Sequence, residues 1–438
     1  MGIANIIFIV LLLAAIVLFT KNILKIKYNI SLGGAYKGKG DFGTMARVAL
    51  GQSKMTRRPI AGFLHILVYA GFVIINIEML EIVIDGITGS HRVFSSLGGF
   101  YKFCIGAFEV LALLVLLACA IFIIRRAVLH IKRFGGPEMK KWPTQDAMII
   151  LITEIVLMTA FLMMNAADSK LMIMGAEHYK DVAMVKSDFW ISQFLVDILP
   201  SNESTLMGIE RGMWWIHIIG VLAFLNYLPY SKHFHIILAF PNTYFTRQGA
   251  KGKFSNMESV TNEVKLMMDP NADPFAAPAA DPDAVPQRFG AKDVTDLSWK
   301  NIMDAYTCTE CGRCTDSCPA NITGKKLSPR KIMMDIRDRA EELGAAKRKN
   351  GKDFEDGKSL LDYISEEEIW ACTSCNACVQ ECPVNNSPLE PIIELRRYLV
   401  MEESKVPTEL TGMLTNIENN QAPWQFSPAD RLNWKDEA

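Results

Sequence analysis

The sequence predicts a mainly α-helical chain in two parts, a bundle of five transmembrane helices followed by a soluble helical domain built around cysteine. Three observations carry this expectation. Apolar segments dominate up to about residue 240, and polar, charged sequence follows. Eight of the ten cysteines fall in two tight runs, "CTECGRCTDSCP" and "CTSCNACVQECP", that share one spacing. Basic residues gather in alternate connections between the apolar segments. At 438 residues there is room for two or three units, and 46 basic against 47 acidic residues gives no case for a nucleic-acid partner.

Crossing a bilayer core takes about 20 helical residues. Segments near 3–20, 60–84, 101–124, 146–167 and 212–240 meet that length. The first has no basic lead and no small-residue cleavage site, so it reads as a retained helix. Nine basic residues from Lys21 to Arg58 lie between the first two spans, and six from Arg125 to Lys141 between the third and fourth. Both loops are expected in the cytoplasm. Five spans then put the N-terminus outside and everything after residue 240 inside, where thiolates meet iron without being oxidised. Cys104 and Cys119, within a span, read as buried small hydrophobes. The loop 168–210 reads as an outer connection, with Trp190, Phe194 and Leu199 compatible with an amphipathic segment on the membrane surface.

Histidine within or beside an apolar span needs a hydrogen-bond partner or a metal. His65 lies one to two turns into the second span. His217 and His235 belong to the fifth, 18 residues apart, which is five turns and a height difference of about 27 Å on one helix face, unless Pro229 kinks the helix. His233 is expected to face elsewhere, at the interface. From the residues alone, a structural hydrogen bond or headgroup contact explains such histidines as well as a metal does. Glu78 and Glu81, near the outer end of the second span, are placed to accept quinol protons, or serve as ordinary interfacial carboxylates.

Residues 246–288 are rich in Asp, Pro and Ala and read as a semi-extended linker. The cysteine domain follows at 289–405 and a tail at 406–438. Within the domain a helix should start at Ser328 and Pro329 and pack through Ile332, Met333, Ile336 and Ala340; a second should pack through Ile392, Ile393, Leu395 and Leu399. Each cysteine run reads C-x2-C-x2-C-x3-C-P: Cys308, Cys311, Cys314, Cys318, and Cys372, Cys375, Cys378, Cys382. Three close thiols wrap one cubane, and the proline turn sends the fourth toward another. Neither a nearby histidine nor zinc-ribbon spacing accompanies them.

The runs resemble those of bacterial two-cluster ferredoxins, and that resemblance implies a crossover: Cys308, Cys311, Cys314 and Cys382 on one 4Fe–4S cluster, Cys372, Cys375, Cys378 and Cys318 on the other. Residues 290–400 are similar to the iron–sulphur subunits of heterodisulphide reductase and anaerobic glycerol-3-phosphate dehydrogenase. Residues 1–245, through "FLHILVYAGFVIINIEML" and the stretch from His217 to "FLNYLPYSKHFH", resemble the membrane cytochrome b subunit of respiratory nitrate reductase. That resemblance implies a cytochrome b-like bundle holding at least one haem b on the cytoplasmic side, with His65 and His235 as axial ligands. His217 matches a ligand of a second haem, but Ile75 stands where its partner histidine is expected. His91 is an alternative ligand or a quinone contact, and His130 competes with His65.

The two resemblances together imply a membrane electron-transfer subunit, not a complete enzyme. It would couple menaquinone or another quinone through haem and clusters to a cytoplasmic catalytic subunit bearing CCG-type cysteine motifs, within a multi-subunit complex of a bacterial or archaeal cytoplasmic membrane. The tail's Trp424, Phe426 and Trp434 suit docking to that partner. A membrane-anchored ferredoxin subunit without haem, or a disulphide-reducing iron–sulphur enzyme, are the alternatives.

Overall fold

A computed structural model describes residues 2–129, 131–179, 182, 184–250, 252–271 and 288–436. It is mainly helical, with five long apolar helices followed by a helical cysteine domain: α1 (Ile3–Ile30), α2 (Pro59–Thr88), α3 (Gly99–Ala127), α4 (Trp142–Met174) and α5 (Glu203–Tyr227) come first. All five are long and apolar enough to cross a membrane, so the chain is a multi-pass membrane protein. Each begins or ends beyond the apolar stretch that revealed it, because caps and breakers set helix ends. Proline opens α2 and α4, and Gly89 and Gly175 close them in the left-handed conformation.

The fifth span departs from the expected continuous 212–240. Pro229 has no N–H to continue the ladder, and the α-helix stops at Tyr227. Two single 3₁₀ turns, Leu228–Tyr230 and Lys232–Phe234, flank an extended Ser231 before α6 (His235–Tyr244) begins. The loop 168–210 is corrected too. Residues 168–174 end α4 and residues 203–210 begin α5; between them the described residues run in short turns, Lys186–Asp188 and Ser192–Phe194 among them. Phe189 and Leu199 are buried, while Phe194 is exposed.

In lipid, helices associate by close packing more than by the hydrophobic effect. Gly71 on α2 supplies such an approach, since a Cβ there would collide with the Val115 side chain of α3. Ile75, Ile105, Phe108, Leu157 and Phe161 fill the space between α2, α3 and α4. α1 stands more apart, with only Phe8, Ala15, Ile26 and Asn29 buried. Its length of about 42 Å exceeds the roughly 30 Å hydrocarbon core. The surplus enters the cysteine domain, where Ile26 joins the core and Asn29 donates to the Tyr306 hydroxyl at 2.8 Å.

Within the stretch 246–288 an exposed helix α7 (Glu258–Met268) interrupts the expected semi-extended course, and residues 272–287 lie outside the described residues. The domain itself is built on α8 (Trp299–Thr307), α9 (Pro329–Asn350) and α10 (Leu389–Met401). Ser328 caps α9 by accepting from the Lys331 N–H. Ile332, Met333, Ile336, Ala340, Ile392, Leu395 and Leu399 are buried, and Ile393 half-buried. A last helix α11 (Thr408–Asn420) leads to the exposed Trp424, Phe426 and Trp434.

The domain sits against the loops preceding α2 and α4. Arg330, 1% exposed, donates to Glu138 through Nε at 3.0 Å and Nη2 at 2.7 Å, and to the Arg133 carbonyl through Nη1 at 2.5 Å. Burial raises the Glu138 carboxyl, but the Ser328 hydrogen bond and the Arg330 charge outweigh it and hold Glu138 below its ordinary range. Arg330→Met should cost about 3–5 kcal/mol, because the largely buried Glu138 charge loses its cation and keeps only the Ser328 hydroxyl. It should lower the thermal midpoint and quicken proteolysis of purified protein in detergent. Because the Glu138 value is depressed on folding, its contribution is full above the ordinary carboxylate value and lost as pH falls through the folded one. An acid titration of the midpoint should therefore be shallower in Arg330→Met.

Candidate functional site

The cysteine runs form two loops with one backbone design. Glu310 and Ser374, each two residues after the first cysteine of a run, are left-handed with φ of 51° and 57°. Gly312 and Asn376, just after the second cysteine, repeat this with 72° and 62°. Such turns curl the chain so that successive thiols face a common centre. A short helix then carries the third cysteine away, Arg313–Asp316 in one run and Ala377–Glu381 in the other.

The thiols segregate by neighbourhood and not by run. Cys382 stands close enough to Cys308, Cys311 and Cys314 for their negative charges to repel, whereas Cys318 has Cys372 and Cys378 as such neighbours, with Cys375 beside the last two. Cys314 also feels Cys378, so the two groups adjoin. Burial first, then the Glu310 carboxylate and the neighbouring thiolates, pushes Cys308 up to about 12, while burial and thiolate repulsion push Cys378 to about 12 and Cys382 to about 11. Left alone, these thiols would be protonated; ligation to iron is what would stabilise them as thiolates.

This arrangement fits a pair of cubanes. Backbone N–H groups of Ser374 and Asn386 point at the sulphurs of Cys372 and Cys382, at 3.4 and 3.2 Å, as hydrogen bonds that set cluster potentials do. Among the described residues, no three His, Cys, Asp or Glu side chains close on a single-ion site. Thiols bound to separate corners of a cubane stand farther apart than the ligands of one zinc at about 2.3 Å. Positive groups surround the loops: Lys54 donates to the Cys382 carbonyl at 3.1 Å, and Arg396 donates to that of Cys372 at 2.5 Å. Cys375 is exposed and lines a cavity of about 910 Å³ with Arg47, Lys54, Arg57, Arg247 and Lys253.

The structure brings His65 and His235 together, with ring centroids 6.4 Å apart. His235 Nδ1 donates to the Lys232 carbonyl at 2.9 Å, and His65 Nδ1 is buried without a partner. The break at Pro229 removes the single helix face assumed for His217 and His235, so the rise of one continuous helix no longer relates their heights. It also turns His233 inward, against expectation, to 5.7 Å from His235 and 5.4 Å from Phe224. His217 is 3% exposed, its Nδ1 unpartnered, in a small cavity of about 70 Å³ that Ile75 and Asn76 also line. His91 is engaged elsewhere, by Asp168 at 2.9 Å. His130 lies outside the described residues.

A buried polar network at the far end of the bundle was not anticipated. Arg92 donates to Asp168, Asn165 and Tyr101, and Glu109 accepts from Asn165 and from the Ile191 and Ser192 amides. Glu109 within "FCIGAFEVLALL" was the visible signal, since a carboxylate at that depth must find donors.

Comparison with known proteins agrees with the cysteine domain. Residues 307–386 match the 4Fe-4S dicluster domain family. The chain is 29% identical over 418 residues to a Bacillus subtilis protein described as a probable iron-sulfur-binding oxidoreductase, FadF, covering 89% of this chain and 54% of that one. It is 27% identical over 414 residues to the EtfAB:quinone oxidoreductase of Syntrophomonas wolfei, covering 88% and 52%. It is 30% identical over 172 residues to a probable membrane-anchored ferredoxin of Chromohalobacter salexigens, covering 36% and 25%. The chain thus spans about half the length of the first two relatives. No solved structure matches. These names speak of iron–sulphur and quinone chemistry and of no nitrate reductase cytochrome, so the resemblance narrows to membrane-anchored iron–sulphur oxidoreductases.

If each thiol group holds a cubane, Cys318→Ser should perturb the electron paramagnetic resonance signal of the cluster bound mainly by the second run and leave the other intact. A change confined to the first-run cluster would exclude the crossover.

Proposed function

We propose that the chain is a membrane-anchored electron-transfer subunit linking the quinone pool to a cytoplasmic redox partner through two 4Fe–4S clusters. The grouping of Cys382 with the first run and Cys318 with the second carries this reading. Cys308, Cys311, Cys314 and Cys382 would hold one cluster, and Cys372, Cys375, Cys378 and Cys318 the other. The clusters would supply one-electron redox chemistry. The protein's part is to hold them in a fixed place against the bundle and to tune them with hydrogen bonds and nearby cations. The basic cavity beside Cys375 supports docking of an acidic partner there, and a CCG-type catalytic subunit is the partner we propose. Because the domain packs on the two basic loops, the positive-inside rule favours a cytoplasmic domain and an external N-terminus in a bacterial or archaeal inner membrane. Menaquinone is the preferred quinone by resemblance.

A haem b between His65 and His235 is the second element of the proposal. His65 and His235 would hold it, since their ring centroids lie 6.4 Å apart, close enough for both imidazoles to reach one iron. The bond from His235 Nδ1 leaves its Nε2 for a metal, in the way that ligating histidines are fixed. His217 faces Ile75 and not a histidine, which favours one haem over two. The relatives' names support a membrane-anchored ferredoxin without haem better than a haem protein, and a visible spectrum separates the two. Purified protein should contain about eight non-haem irons and one haem b by pyridine haemochrome. His65→Ala or His235→Ala should abolish the haem, and His217→Ala should retain it. A wild-type protein with full iron–sulphur content and no haem would establish the ferredoxin reading.

A further inference from the structure

The end of the bundle away from the cysteine domain contains a cavity of about 210 Å³, walled by α1, α2, α4 and α5. Most ionisable side chains around it have partners. Asp85 accepts from the Arg92 amide at 2.7 Å, Glu81 from the Tyr101 hydroxyl at 2.6 Å, and Glu210 from the Tyr179 hydroxyl at 2.9 Å. Asp168 is held by His91 and by Arg92. Glu78 differs. It is 5% exposed, lines the cavity, and its Oε2 is buried with no hydrogen-bond partner. Leaving a buried carboxyl oxygen unpaired is costly, so a group retained in that state calls for a ligand.

We propose that this cavity receives the headgroup of a quinone, with Glu78 and His91 as its two polar poles. The inference rests on the quinone-linked reading above and assigns its site. A quinone ring is flat and apolar and carries an oxygen at each end. The cavity matches this in kind: Phe8, Trp214 and Trp215 supply aromatic walls, with Phe8 and Trp214 centroids 5.5 Å apart, and His91 and Glu78 lie among its polar lining. Asp168 accepts from His91 Nε2, which leaves Nδ1 to accept from a quinol hydroxyl when the ring is neutral and to donate to a quinone carbonyl when it is protonated. Neutral Glu78 donates to a quinone carbonyl, and ionised Glu78 accepts from a quinol hydroxyl, so one residue serves both redox forms. The isoprenoid tail enters beside α1, whose lipid-facing side is largely exposed along its length. Glu78 also lines the smaller cavity containing His217, so it stands between the headgroup site and the interior of the bundle.

The test uses the full chain in lipid nanodiscs, with menadione as the probe and quenching of tryptophan fluorescence as the readout. Wild-type protein should show saturable quenching. Glu78→Leu and His91→Phe should each weaken it roughly tenfold, the worth of one hydrogen bond in a dry site. Removing an unsatisfied carboxyl is neutral or stabilising, so Glu78→Leu should keep its thermal midpoint while losing affinity. Wild-type affinity in both variants would overturn this site and leave the quinone-linked reading standing. Absence of saturable binding in wild-type protein would overturn both.

Discussion

Lys232 is the constraint on which the arrangement depends. It sits, 9% exposed, in the break between α5 and α6. Its Nζ donates to Glu310 and to the Pro143 carbonyl, both at 2.5 Å, and lies 3.9 Å from Asp146. Its amide donates to Asp146 at 3.0 Å, and its carbonyl accepts from His235. Glu310 stands inside the first cysteine loop and accepts from Arg337 at 2.8 Å through its other oxygen. One side chain and its own backbone therefore fix the start of α4, the orientation of His235 and the first cysteine loop together. Burial alone would raise the Glu310 carboxyl; Lys232 and Arg337 outweigh it and hold the group ionised. A buried pair of this kind adds little net stability, yet losing one partner costs about 3–5 kcal/mol. It acts as a registration device more than as a source of stability.

That device has a functional meaning, because electron transfer requires fixed separations between centres. A flexible tether would let the cysteine domain wander. Here the domain is instead held by buried contacts from three parts of the bundle: Asn29 at the end of α1, the loops carrying Lys54 and Glu138, and the segment around Lys232. Lys300 adds a fourth, donating to Asn242 of α6 at 2.9 Å. The opposite end of the bundle is organised differently. Its charges satisfy one another, as in the Arg92, Asp168 and Asn165 group, and leave Glu78 alone with an unmet oxygen. On the function proposed here, the two ends would separate the work of holding metal centres from that of handling a polar ligand within a membrane.

Much of this was legible in the sequence for physical reasons. The cysteine spacing encodes the turn geometry directly, and both loops adopt the same left-handed residues at the same positions. The five spans were visible because hydropathy must persist for the length of a membrane. The course of the fifth was not. Pro229 signalled a kink, but neither the extended Ser231 nor the new helix at His235 follows from a single proline, and the rise arithmetic between His217 and His235 failed with the helix. His233 moved inward for the same reason, since a 3₁₀ turn changes the angle between neighbouring side chains. Asp168 was assigned to a loop because a charge ended the apolar run, although α4 continues to Met174 and buries it. Which buried charges find partners is a tertiary property, so Glu109 and Glu78 looked alike in sequence and differ in the structure.

The central claim is that the membrane bundle lets quinone exchange electrons with the clusters. It is tested most directly by stopped-flow oxidation of pre-reduced protein in nanodiscs, following the clusters optically while menadione concentration is raised. The rate should saturate with quinone, as exchange through a bound headgroup requires. A rate rising linearly over the whole range, or no exchange with clusters that dithionite reduces normally, would contradict it.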